Sequence, residues 1–295
     1  MNLYSRIGTV GGVILLLLAF SVAFSTSSCT ADHSEKNGKN ATDFIRPKET
    51  DLVRIADTVW EATKYAVFAD AKLNNKYHTI YLRLRDTLGK PINDKSLDFY
   101  PEMSMGRMKH GGPFEPPIAL GEGWYSSRMV FIMADIPQMG TGWQLHTIRS
   151  HGRIKDTLAI KIPVTAAATM RTMSSGTRDD SRVFISCLLP DSVKQGKHPI
   201  RFLMNKMDGH HFPVLDHYVI KLKTTMPAMG QESLGNAAAE STGNGYYEGT
   251  VNFSMPGRWE VIVELWKAGK KSNQDDIKYL IQVNKYVQNL FYQYT

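Results

Sequence analysis

The same ordered set of short motifs occurs twice along this chain. Gly123-Trp124-Tyr125, which starts an alternating run ending at Met133, recurs as Gly245-Tyr246-Tyr247, whose run ends at Met255. Gly142-Trp143 then recurs as Gly257-Arg258-Trp259. Because the order of the motifs is kept, the pattern indicates a duplicated domain, and the chain must fold as two versions of one unit.

Short segments with alternating apolar residues lie between these motifs. In His78–Arg85, the residues Ile80, Leu82 and Leu84 share one parity, while Tyr81 and the two arginines share the other. A period of two is typical of a strand buried on one side. No long helical period is present, and the segment from Leu52 to Lys64 is compatible with either a helix or a strand. The sequence therefore predicts an all-β sandwich or barrel in each half.

The N-terminus has the pattern of an export segment. One cation, Arg6, precedes an uncharged apolar stretch over 7–24, and small polar residues lead to Cys29. A cysteine at this place resembles the lipobox of bacterial lipoproteins, although Thr26 stands where that pattern prefers leucine. We therefore predict a signal peptide over 1–28 and lipidation of Cys29. Simple secretion and an uncleaved anchor are the alternatives.

Four segments follow from these patterns. After the signal peptide, the polar segment 29–46 predicts a flexible tether. The first sandwich is predicted over 47–165 and the second over 166–290. The chain is expected in the cell envelope, held to a bacterial membrane through the lipid on Cys29 and facing the periplasm or the cell surface.

Composition and motifs exclude several classes of function. The formal net charge of +7 is spread over the chain without a basic block, and no nucleic-acid-binding motif is present. No nucleophile elbow, zinc-protease motif, phosphate loop or dinucleotide fingerprint occurs, so we expect no enzymatic activity. Cys187 lies in an apolar strand and is expected to be a buried core residue.

The motifs resemble the FixH/YtkA-like family. Its pattern is matched by Met226-Pro227-Ala228-Met229, Gly245-Tyr246-Tyr247 and Met255-Pro256-Gly257-Arg258-Trp259, and more loosely by the first copy. The resemblance implies two tandem immunoglobulin-like β-sandwich domains in the cell envelope, often associated with copper efflux or cytochrome oxidase assembly. The second copy departs from the pattern at Gln231, where the family often has histidine.

One cluster could carry chemistry, and it consists of Met103, Met105, Met108 and His110. Thioethers with one imidazole suit Cu(I) better than zinc or magnesium. In one regular strand the first two residues would face away from the last two, so the four converge only if the chain bends, and Gly106 could supply the bend. The alternative is that these methionines fill irregular gaps in the core. For Met226 and Met229 the packing interpretation is favoured.

Two hypotheses for the function follow. The first is a lipid-anchored envelope protein that handles copper or helps to assemble a copper-dependent membrane complex, with a second envelope protein as its partner. The second is a metal-free immunoglobulin-like interaction or structural module.

Overall fold

The computed structural model describes residues 46–151, 154–180, 182–209 and 211–285. The predicted signal peptide, Cys29 and nearly all of the predicted tether lie outside the described residues. Those predictions therefore stay predictions, and so do the predicted segment boundaries.

Twenty strands and three short 3₁₀ turns account for the regular structure of the described residues. The strands built from residues before 165 are β1 Val53–Trp60, β2 Thr63–Ala69, β3 Tyr77–Asp86, β4 Asp98–Met105, β5 Met108–Gly111, β6 Ile118–Gly121, β7 Trp124–Val130, β8 Thr141–His151 and β9 Ile154–Ile162. The later strands are β10 Thr172–Ser175, β11 Val183–Cys187, β12 Ser192–Lys194, β13 Gly196–Lys206, β14 Val219–Met226, β15 Gln231–Ser233, β16 Ala237–Gly243, β17 Tyr246–Phe253, β18 Gly257–Lys267, β19 Lys270–Lys271 and β20 Ile277–Asn284. The 3₁₀ turns are Glu49–Asp51, Pro137–Met139 and Pro227–Met229.

The ambiguous segment near Leu52 is extended and forms β1 with the start of β2. Among the described residues, no helix is long and apolar enough to cross a bilayer.

The order of the strands is repeated in the two halves. The first half has one sheet ordered β1-β2-β3-β7-β6 and a second ordered β5-β4-β8-β9. The second half contains β10-β11-β13-β17-β16 and a β14-β18-β20 path, with β15 paired to β14. Strand by strand these orders correspond, although a single bridge between β14 and β16 joins the two sheets of the second half. The duplication inferred from the motifs is therefore a duplication of topology.

Each half has its own hydrophobic core between its two sheets. The first core runs in sequence from Tyr65 to Val164, and Trp143 is its largest fully buried side chain. The second core runs from Val183 to Val283 and has Trp259 in the corresponding place. Antiparallel sheets packed face to face over such a core form a β-sandwich. The predicted fold of two tandem immunoglobulin-like sandwiches is confirmed.

The repeated glycine starts β7 and β17 because a side chain would not fit there. Gly123 has φ +75°, and a Cβ on it would lie 2.3 Å from the carbonyl oxygen of Leu84. Gly245 has φ +77°, and its Cβ would lie 2.7 Å from the carbonyl oxygen of Met204. Each glycine carbonyl accepts a 2.8 Å hydrogen bond from the amide of that same facing residue. Glycine therefore permits both the left-handed turn and the close approach of two backbones.

The tyrosine that follows in each motif anchors a loop inside the sandwich. Tyr125 Oη donates to the Asp94 carbonyl at 3.1 Å and accepts from the Asp94 amide. Tyr247 Oη donates to the Leu215 carbonyl at 2.7 Å and accepts from the Tyr218 amide at 3.2 Å. A buried phenol needs such partners, since an unpaired hydroxyl in a core is costly.

The two sandwiches contact each other through a small mixed interface. Val130 of the first packs with Leu203 and Tyr246 of the second. Tyr77 Oη lies 3.0 Å from Tyr246 Oη, which donates in turn to Glu115 at 2.5 Å. Burial raises the pKa of Tyr77 to about 12, so the Tyr77 hydroxyl keeps its proton at neutral pH.

We predict that Gly123→Ala lowers the free energy of unfolding by about 3 kcal/mol or more, because left-handed strain adds to overlap with a backbone oxygen. Gly121→Ala is the matched control: Gly121 also has positive φ, but nothing lies within 4 Å of its Cβ position. The control should cost about 1–2 kcal/mol. Urea unfolding measures both, and equal losses would contradict the close-approach argument.

Candidate functional site

The β4–β5 hairpin brings the four predicted ligand residues onto one face. Met103 pairs directly with His110, and Met105 pairs with Met108 across the turn at Gly106 and Arg107. Residues directly opposite each other in an antiparallel pair point to the same side, with Cβ atoms about 4.5–5.5 Å apart. The bend that the sequence analysis required is therefore present, and Gly106 takes it with φ +65°.

His110 is held with its Nε2 lone pair free. Its Nδ1 lies 2.8 Å from the Gly111 carbonyl oxygen, which can only accept, so a neutral His110 carries its proton on Nδ1. Nε2 then faces the Met133 sulfur at 3.3 Å. A thioether has no proton to donate, so the Met133 sulfur and His110 Nε2 form no hydrogen bond when the proton is on Nδ1. A histidine whose second nitrogen donates to a backbone carbonyl is the usual arrangement of a metal ligand.

Met133 is a residue of this site that sequence analysis missed. It lies 23 positions after His110, in the segment between β7 and the turn Pro137–Met139. Its carbonyl accepts the indole N–H of Trp143 at 2.8 Å, which holds the backbone of Met133 in place. The edge of the Trp143 ring system also meets the His110 ring, with centroids 5.4 Å apart and planes at 88°. A buried indole therefore positions both His110 and Met133.

The methionines of the hairpin differ in burial. Met103 is fully buried in the first core, and Met105 is partly buried against it. Met108 is 65% exposed, and Met139, in the turn that leads into β8, is 70% exposed. These methionines extend from the core to the rim of the sandwich. Filling a gap in the core therefore explains Met103 but not Met108.

The second sandwich has the same scaffold without the histidine. Trp259 donates to the Met255 carbonyl at 2.9 Å, as Trp143 does to Met133. Met226 is buried and pairs across the turn with Gln231, so a glutamine stands in the strand where the first copy has histidine. The packing interpretation holds for Met226, whose Cε would lie 2.8 Å from a Cβ on Gly257. Met229 is 64% exposed, so packing in the core does not account for it.

His146 lies on β8, and its ring stacks on Tyr100 with centroids 5.3 Å apart. Its Nε2 lies 3.2 Å from Glu102 Oε1 but is not aligned for a hydrogen bond. Burial lowers the pKa of His146, against the opposing effect of Glu102. This histidine is therefore a neutral packing residue of the sheet.

Among the described residues, His211, His217 and Cys187 do not assemble into a site. His217 is 3.4 Å from Asp180, His211 is exposed, and His210 lies outside the described residues. Cys187 is buried, as expected, and burial raises the pKa of its thiol to about 11. Within the described ranges, no three residues of the His, Cys, Asp and Glu types gather closely enough to hold a metal ion.

We predict that His146→Phe makes stability less sensitive to acid. The unfolded chain binds a proton at the ordinary histidine pKa of about 6.5, whereas the folded state resists protonation, so the free energy of unfolding falls as pH drops through that value. The variant should lose less stability than the unmodified protein between about pH 7.5 and 5.5. Urea unfolding across this range checks it, and parallel losses would show that the ring titrates freely when folded.

The fold defines a class, the tandem immunoglobulin-like β-sandwich protein. Within it, the YtkA-like family model matches residues 179–264, which lie in the second sandwich. This confirms the resemblance for the second copy, and the correspondence of strand order relates the first copy to it. No curated protein matches the sequence.

Several solved structures align with the chain at low identity. The adhesin FdeC of Escherichia coli aligns over 75% of this chain and 64% of its own, with 14% identity and a TM-score of 0.23. A DUF4785 family protein of Legionella pneumophila aligns over 76% and 56%, with 8% identity and a TM-score of 0.25. The D00-D0 domain of Intimin aligns over 73% and 98%, with 12% identity and a TM-score of 0.21. This chain thus spans less than two thirds of the first two structures, and its fold assignment rests on its own strand order.

Proposed function

We propose that this chain is a lipid-anchored envelope protein that binds Cu(I) at the rim of its first sandwich and passes it to a membrane partner. The observation that carries the proposal is the contact between His110 Nε2 and Met133 Sδ at 3.3 Å, beside the methionine-bearing hairpin. Two ligands of one ion, at bond lengths of roughly 2.0 Å to nitrogen and 2.3 Å to sulfur, stand about 3.5 Å apart, so little movement is needed.

The ligand set fits a soft monovalent cation. His110 Nε2 and Met133 Sδ supply two donors, and Met105 or Met108 supplies the third from the hairpin. Neutral thioethers bind Cu(I) without losing protons, and they offer little to zinc or magnesium. Met103 is directly opposite His110 and fully buried, so it supports the site by packing in the core.

The exposed thioethers supply a route for exchange. Met108 lies at the hairpin turn, and Met139 precedes Thr141, which pairs with Met105. Both side chains are mostly exposed. A partner that offers its own thioethers or thiolates can therefore approach the ion from this side while His110 and Met133 still hold it.

The remaining parts of the proposal come from the sequence. The cysteine after an export-like segment supports a lipid anchor, and the YtkA-like match supports an envelope role. We propose binding and transfer of copper rather than catalysis, since the site as assembled holds soft ligands without an acid–base pair. A metal-free interaction module is the outcome if copper does not bind.

We predict that Met133→Leu weakens Cu(I) binding at least tenfold, because leucine keeps the volume and removes the sulfur. Met255→Leu, the equivalent change in the second sandwich, is the matched control and should leave the affinity unchanged. Competition of the full-length protein with a chromophoric Cu(I) chelator measures both. Equal affinities for the unmodified protein and Met133→Leu would exclude Met133 as a ligand.

A second measurement tests the site as a whole. Protein purified from copper-supplemented cells should carry one Cu(I) per chain, and replacing Met103, Met105, Met108 and His110 together should abolish it. Unchanged affinity in this variant, with its fold verified by circular dichroism, would refute the proposed copper site, and no copper in the unmodified protein would leave the interaction module.

A further inference from the structure

A cavity lies on the outer face of the sheet that contains β1, β2 and β3. Its volume is about 510 Å³, within the range of small-molecule sites. Ala66 lies between Asp57 on β1 and Arg83 on β3 in the register of the sheet. A small residue in the middle strand, flanked by long ones, leaves a depression between their side chains.

The cavity carries an excess of positive charge. Lys64 on β2 and Arg85 on β3 are directly opposite each other. Like charges in this arrangement destabilise a sheet. Each donates to a backbone carbonyl, Lys64 to Thr87 at 2.9 Å and Arg85 to Gly89 at 2.6 Å, and no carboxylate in the described part of the chain pairs with either.

The two other cations of the cavity are compensated. Arg54 pairs with Asp57 at 2.7 Å, and Arg83 pairs with Glu49. The uncompensated charge is therefore concentrated at the Lys64–Arg85 end.

Two guanidinium nitrogens add unused hydrogen-bonding capacity. The Nε atoms of Arg83 and Arg85 are buried, and neither has a hydrogen-bond partner among the described residues. A buried donor attached to a charged group is costly when it is left unpaired. A ligand oxygen drawn in beside these side chains would offset both this cost and the repulsion from Lys64.

The rest of the lining is mostly apolar, with Thr58 as an additional polar side chain. Phe68 and Tyr65 are buried beneath the cavity, and Val59 is 63% exposed at its edge. An inorganic ion would satisfy the charges and leave the exposed side chain of Val59 and the partly exposed side chain of Ala66 in water. A ligand with an apolar body would cover both parts.

We propose that this cavity binds a small organic anion, a phosphate or carboxylate joined to an aromatic or aliphatic body. The anion lies between Lys64 and Arg85, and the body packs on Ala66 and Val59. The site is on a different sheet from the methionine-bearing hairpin and uses none of its residues, so it stands independently of the copper proposal.

Phenyl phosphate is the probe, with inorganic phosphate and phenol as its two halves. By calorimetry on the full-length protein, phenyl phosphate should bind at least tenfold more tightly than either half. Lys64→Gln should weaken this binding at least tenfold, and Arg85→Gln should do the same. Lys64→Gln should leave the melting temperature of the ligand-free protein unchanged or raised, because it removes the repulsion.

Lys72→Gln and Lys155→Gln remove exposed cations elsewhere on the first sandwich and should not change the affinity. Phenyl phosphate that binds the Lys64→Gln variant as tightly as the unmodified protein would overturn the proposal. No binding to the unmodified protein, or equal binding of phenyl phosphate and inorganic phosphate, would overturn it as well.

Discussion

The burial of one indole in each sandwich, with its N–H paired, is the constraint on which the remaining structure depends. A buried N–H needs an acceptor, and both Trp143 and Trp259 find it in the carbonyl of a methionine at the end of the preceding strand segment. A phenylalanine two residues before that methionine meets each indole edge-on, Phe131 in the first copy and Phe253 in the second. This packing sets where the chain crosses from one sheet to the other. In the first sandwich it also places the Met133 sulfur beside His110.

The two copies share one strand order and differ in the residues at their rims. Gly123 and Gly245, and Tyr125 and Tyr247, perform the same packing tasks in both copies. The aromatic residue between the glycine and the tyrosine differs. Trp124 contacts the Arg83 guanidinium within the first sandwich, whereas Tyr246 of the second sandwich contacts Tyr77 of the first. Because the inner positions keep the fold, outer and rim positions are free to change, and different roles can arise on the same topology.

The two candidate sites use opposite chemistry. The methionine-bearing hairpin offers neutral sulfur and nitrogen, which suits a soft cation in a protein whose net charge is already positive. The cavity over Ala66 offers unpaired positive charge above an apolar floor, which suits an organic anion. They lie on different sheets of the first sandwich, so occupancy of one places no ligand charge beside the other.

The sequence by itself determined the strands, the duplication and the residues of the hairpin. Alternation with a period of two is a local property, and the repeated order of Gly-x-Tyr and tryptophan motifs is visible without coordinates. Met133 and the opposition of Lys64 to Arg85 were decided by the tertiary structure alone. Strand register depends on how distant segments pack against a shared core, and a shift of one residue would turn every side chain to the other face. The sequence named four candidate ligands, three methionines and one histidine, and only the fold could place a fourth sulfur against the imidazole and bury one of the four.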